Sequence, residues 1–136
     1  MDKPKLLAIV FADRVIEEKN NKKGIIGTFE KIFSQVFPVT LQTWGCYIAL
    51  TNISGKNKFT VKIKNSAPSP QEYVLEMNGE IVTEKSSGLV EVIFNVSGLT
   101  VKNAGEYLFE VYINDEFLDS RILSIEFLNA ENGSQK

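Results

Sequence analysis

Apolar and polar side chains alternate along most of this chain, with a period of two. The alternation is cleanest at residues 58–64, where Phe59, Val61 and Ile63 share one face and Lys58, Thr60, Lys62 and Lys64 the other. It recurs in Tyr107, Phe109, Val111 and Ile113, set against Glu106, Leu108, Glu110 and Tyr112. That period marks a half-buried strand, because successive side chains on a pleated backbone point to opposite faces. Val90, Val92, Phe94 and Val96 form another such row. Trp44, Cys46, Ile48 and Leu50 form one more, and here the intervening Gly45, Tyr47 and Ala49 are largely apolar too. That composition predicts a central strand or one whose outer face is partly covered.

The remaining segments complete the pattern. Leu6–Val15 reads as a first strand. Its apolar run Leu6–Ala12 is short, and Asp13-Arg14 interrupts it without a cleavage pattern, so a buried strand is expected rather than a signal segment. Glu17–Gly24 is a polar turn. Ile25–Phe33 also fits a helical spacing over Thr28–Gln35, but Gly24 and Gly27 weaken a helix nucleus, and extended structure is preferred. Gly27 marks a bulge or a strand that switches sheets. Pro38 assigns 34–43 to a connection. Turns are expected at 52–57, 65–71 and 86–88. Asn78-Gly79 is the strongest hairpin signal in the chain, and Asn114-Asp115 suits a tight reversal before a return strand carrying Leu123, Ile125 and Phe127.

This makes about eight or nine short strands with turn signals every ~8–12 residues. The expected fold is all-β: an immunoglobulin-like, two-sheet antiparallel β-sandwich without a disulfide, with a small β-barrel as the alternative. Residues 1–128 form one domain and 129–136 a polar tail.

Asn103-Ala104-Gly105-Glu106-Tyr107 resembles the immunoglobulin-superfamily motif Asp-x-Gly-x-Tyr. In that family the tyrosine begins strand F and its hydroxyl bonds back to the upstream loop. The resemblance implies that role for Tyr107, with Gly105 beside it. Asn103 replaces the aspartate, and Phe109 stands where the second disulfide cysteine would be. The front half, LLAIVFADRVI followed by KGIIGTFEKIF and then FP, is similar to an uncharacterised prokaryotic family of small sandwich domains of about 130 residues. That resemblance implies the fold and no site residues.

Composition excludes much chemistry. The chain has 136 residues, 43% apolar and 24% charged, as in an ordinary globular domain. It contains no histidine and one cysteine, Cys46. Serine and cysteine triads, the commonest general base and a structural zinc site within one chain are thereby removed. No spacing singles out a carboxylate or lysine pair for catalysis, and no cofactor or metal is expected. Asp115, Glu116 and Asp119 match no calcium-loop spacing and read as a solvated turn. Long apolar runs are lacking, which speaks against a membrane helix. A lone cysteine points to the cytoplasm.

Charge is distributed unevenly. Residues 1–68 carry eleven basic and five acidic side chains, residues 69–136 four and twelve. In a sandwich the halves interleave, so opposite charges are expected to face each other across strands. Lys58, Lys62 and Lys64 form a basic stripe, readable as a partner surface, as a solvated face or as protection of an edge strand. No aromatic alternates with these lysines, which argues against sequence-specific nucleic acid. Asp13-Arg14 reads as a strand-end ion pair or places Arg14 at an anion or partner site. Trp44 and Tyr47 lie on opposite faces; one is core, and the other is free to anchor a partner or a sugar. The expected function is a non-enzymatic protein-interaction or structural module that binds a protein, or a second copy of itself, through an edge strand or the loops at one end. A small-ligand or carbohydrate-binding domain is the first alternative and a phage or virion component the second.

Overall fold

The computed structural model describes residues 3–66, 72–84 and 88–128. They form eleven strands: β1 (Lys5–Glu17), β2 (Lys23–Phe29), β3 (Lys31–Ser34), β4 (Val39–Thr40), β5 (Trp44–Thr51), β6 (Gly55–Asn65), β7 (Tyr73–Thr83), β8 (Val90–Val96), β9 (Thr100–Val101), β10 (Gly105–Ile113) and β11 (Glu116–Phe127). Two sheets face each other, one in the order β2-β1-β5-β8 and the other β3-β11-β10-β6-β7, with a small β4-β9 ribbon beside them. The architecture is an all-β sandwich, and the sheets do not close into a barrel.

Eleven strands replace the expected eight or nine for two reasons. The stretch 25–33 divides at Glu30, where the chain leaves one sheet as β2 and enters the other as β3. The connection 34–43 also contributes β4, which pairs with β9 after a cis Phe37–Pro38 bond. No helical turn forms over 28–35. Gly27 takes φ 74° in β2, the irregularity that precedes the switch. β3 then runs parallel to β11, the one parallel pair among the ladders of the described residues.

The inward rows foreseen from alternation form the core. Phe11, Cys46, Ile48, Leu50, Val61, Ile63, Phe109, Val111, Leu123 and Ile125 are fully buried. β5 is central, between β1 and β8. Its outer face is covered because the end of β1 crosses it: a Cβ built on Gly45 would lie 2.9 Å from Val15 Cγ2 and 3.0 Å from Val15 N. Tyr107 makes the contact that the Gly105–Tyr107 motif implies, its hydroxyl donating to the Asn103 carbonyl at 2.7 Å. Asn114 and Asp115 both take positive φ, 51° and 67°, and turn β10 into β11.

One hairpin does not exist. β7 runs straight through Asn78-Gly79, with Asn78 opposite Thr60 and Gly79 opposite Phe59. The Thr60 hydroxyl donates to Asn78 Oδ1 at 2.8 Å, and neither Asn78 nor Gly79 has positive φ. The ten-pair ladder with β6 outweighs the local turn preference of the dipeptide. Of the turns expected at 65–71 and 86–88, residues 67–71 and 86–87 lie outside the described residues, as does the tail from 129.

Gly45→Ala is expected to destabilise the protein by about 1–3 kcal/mol, since the added methyl meets backbone as well as side chain. Gly79→Ala, where a Cβ meets nothing within 4 Å, is expected to change stability by less than about 0.5 kcal/mol. Urea titration of both variants measures the difference; equal effects would contradict the crossing of β1 over β5.

Candidate functional site

β6 lies between β10 and β7, so its lysines are not on an edge. This removes edge protection as their role. They face outward from the five-stranded sheet, and each meets a partner from a neighbouring strand or turn. Lys58 Nζ is 2.9 Å from Asp115 Oδ1, and Lys64 Nζ is 3.3 Å from Glu110 Oε2. Lys62 lies over two rings, 4.8 Å from the centroid of Tyr112 and 5.4 Å from that of Tyr73. Nearby Lys56 is 3.5 Å from Glu80. The basic front half and acidic back half thus face each other across strands.

At the centre of this face is Glu110, only 6% exposed. The Tyr112 hydroxyl donates to its Oε1 at 2.9 Å and the Tyr73 hydroxyl at 3.3 Å. Burial, followed by the hydrogen bond and charge of Glu110 and the neighbouring Tyr73, pushes the Tyr112 hydroxyl pKa well above its ordinary value. The aromatics around Lys62 were invisible along β6 itself. They arrive through register, because Tyr73 sits opposite Lys64 and Tyr112 opposite Thr60. A carboxylate held by two hydroxyls and an ammonium binds three strands together, and removing one partner from such a buried charge is costly. The cluster is a fastening of the sheet.

Arg14 is not part of that face. It lies in the other sheet, exposed, opposite Ile26. Asp13 is exposed too, so the two do not form a buried ion pair; the Asp13 carboxylate packs against Gly27, where a Cβ would come within 2.4 Å of Oδ2. Of the two aromatics on β5, Trp44 is core at 3% exposure. Tyr47 is half-buried on the outer face and donates to Glu91 of β8. Among the described residues no group of histidine, cysteine and carboxylate side chains is placed to hold a metal. Cys46 is buried, and burial raises its thiol pKa well above the ordinary value.

Both sheets end on one side of the sandwich. β7 terminates one and β8 the other. Between them lies a cleft of about 500 Å³ lined by the core residues Phe59 and Val61 and the partly buried Met77, Val92 and Phe94, with Glu17, Glu80 and Glu91 also in its wall. The opposite side is bridged by the chain itself at Glu30. There a second cavity of about 580 Å³ is walled by Phe29, Ile32, Leu41 and Trp44 together with Asp13, Lys31 and Gln42. Sequence pattern alone reveals neither, because each depends on which strands end a sheet.

The chain belongs to a family of unknown function, DUF6941, whose sequence profile it matches over residues 7–126. No curated protein matches the sequence. Among solved structures it is similar to the crystal structure of a beta-glucosidase from Listeria innocua in complex with isofagomine, at a TM-score of 0.47 and 9% identity. The match covers 91% of this chain and 16% of that one. Among the described residues no helix is long and apolar enough to cross a membrane.

The tyrosine on the outer face of β5 supplies a pH test. Burial first, then the hydrogen bond and charge of Glu91, push the Tyr47 hydroxyl up to about 12 from its ordinary 10. Its folded pKa lies above the unfolded one, so the stability it contributes is fully present below pH ~10 and is lost as pH rises through about 12. Phenolate absorbance at 295 nm should show late ionisation near pH 12 whose amplitude Tyr47→Phe reduces by one tyrosine, the later Tyr112 signal remaining. Ionisation of Tyr47 together with free tyrosine would contradict the Tyr47–Glu91 contact.

Proposed function

We propose that this domain is a non-enzymatic interaction module, acting in the cytoplasm, that takes an extended segment of a partner protein along its β7/β8 side. The carrying observation is that β7 and β8 are edge strands there, with no further strand on their outer sides among the described residues, beside a cleft floored by apolar side chains. An edge strand offers a row of free backbone donors and acceptors, and an incoming strand satisfies them while its alternate side chains enter pockets. Val90, Val92, Phe94 and Met77 are only partly buried against the core, so apolar side chains of a partner would complete their burial. The partner's chemistry follows from the wall. Glu17, Glu80 and Glu91 line the cleft with Lys23 as the one basic residue, and Lys23 is itself 2.8 Å from Glu17. An extended segment with apolar residues at alternate positions and lysine or arginine between them fits this best.

The non-enzymatic reading is supported by the composition, without histidine, and by the outer-face cluster, whose lysines and Glu110 are engaged in holding strands together. The cytoplasmic assignment is supported by a single, buried cysteine.

The test is selection from a displayed library of random linear peptides, followed by binding measurements on the intact chain. Enriched peptides are expected to alternate apolar and basic residues. They should bind Met77→Lys about tenfold more weakly, a loss of about 1.4 kcal/mol. The long lysine stem can replace methionine packing while its charge faces the cleft, so the fold is retained. Amide hydrogen exchange should slow along β7 and β8 on binding. No enrichment, or protection on β2 and β3 instead, would overturn the proposal.

A further inference from the structure

We propose that a second copy of this chain pairs with the first through β8 and joins two four-stranded sheets into one, an inference that rests on the β7/β8 side being a strand acceptor. Four strands end the two main sheets: β2 and β8 in one, β3 and β7 in the other. Soluble proteins guard such edges with short strands, irregular backbone or charge. β3 has four residues. β2 takes positive φ at Gly27, and the Asp13 carboxylate packs there. β7 carries Glu76 and Glu80 and is flanked by Glu72 and Glu84, a carboxylate at every fourth position. β8 has none of these devices. It is seven residues long, Val90–Val96, and none of them takes positive φ. Its one charged residue, Glu91, already accepts from the Tyr47 hydroxyl.

Self-complementarity identifies the occupant. A two-fold axis brings a strand against its own copy in antiparallel order. For β8 to overlap along its whole length, the axis must pass through its midpoint, Ile93. Val90 then lies opposite Val96 of the second copy, Glu91 opposite its Asn95, Val92 opposite its Phe94, and Ile93 opposite its Ile93. An aromatic against a β-branched side chain is a favourable cross-strand pair, and a carboxylate opposite an amide meets no like charge. The same operation on β7 turns about Asn78 and sets Glu76 opposite Glu80 and Glu72 opposite Glu84. Like charges directly opposite are destabilising, so β7 repels its copy where β8 does not. Val90, Val92 and Phe94 are only partly buried against the core, and the matching row of the second copy extends that apolar surface. Two other acids of the cleft wall, Glu17 and Glu80, are paired to Lys23 and Lys56, which limits repulsion as the two clefts approach. The second copy covers the edge that a peptide would use, so the two occupants compete for it.

A single strand pair is a small interface, and small interfaces are weak. Sedimentation of the full chain should therefore show a reversible monomer–dimer equilibrium with a Kd on the order of 100 µM. Residue 93 meets its own counterpart and lies on the outer face beside Tyr47. Ile93→Lys and Ile93→Glu should each weaken the dimer about tenfold or more, and their equimolar mixture should associate again. Asn95→Lys, at an exposed position, sets an ammonium opposite Glu91 of the second copy and should tighten the dimer. A chain that stays monomeric throughout, a dimer that the substitutions at 93 and 95 leave unchanged, or an assembly that grows beyond two would overturn the proposal. Met77→Lys, which faces the cleft, should leave dimerisation unchanged. Failed peptide selection therefore leaves this test standing, and a monomeric chain leaves the peptide test standing.

Discussion

Four aromatic rings lock the two sheets together, and the rest of the structure depends on that contact. Phe11 of β1 and Trp44 of β5 meet edge to face inside one sheet, and Phe109 of β10 packs onto Phe11 from the other at 5.1 Å. Phe29 closes the group from β2, just before the chain changes sheets. Each such pair contributes about 0.5–1.5 kcal/mol beyond the area it buries. Arg121 of β11 lays its guanidinium 4.8 Å from the Phe11 ring and donates to the Ile9 carbonyl, drawing β1 against the second sheet. No disulfide assists this contact: Cys46 and Phe109 both point inward and are fully buried, and packing holds the sheets together.

That lock sits nearer one side of the sandwich, and the two sides differ as a result. On the side of Phe29 the chain steps from β2 to β3 through Glu30 and covers the gap itself. On the other side β7 and β8 end their sheets without a covering segment among the described residues. The same asymmetry creates both cavities. The open side leaves core side chains within reach of an extended partner. The bridged side leaves a more polar cavity beside Trp44.

The charged surface has a different meaning from the one its spacing suggests. A row of lysines along one strand reads as a basic stripe, yet Lys58 and Lys64 are ion-paired to Asp115 and Glu110, and Lys62 rests on tyrosine rings. The excess of base in the first half of the chain and of acid in the second is a consequence of pairing β6 with β7 and β10. The candidate residues on β6 were therefore legible as an outward row but not as a network, because their partners come from strands and turns distant in sequence. Arg14 was read as a strand-end residue, but β1 runs on to Glu17, and the fold sets Arg14 within it on the other sheet.

Local chemistry was sufficient for most strands, for the reversal at Asn114-Asp115 and for the Tyr107 contact with Asn103. Each rests on a period of two or on the backbone preferences of neighbouring residues, which the chain carries without reference to the rest of the molecule. Asn78-Gly79 shows the boundary of that reasoning, since a long ladder with β6 holds straight a dipeptide that favours a turn. The switch at Glu30, the covering of Gly45 by Val15, the tyrosines around Lys62 and the two cavities were decided by tertiary structure alone. All of them follow from which strands lie side by side and where each sheet ends, relations between residues far apart in the chain that no local pattern encodes.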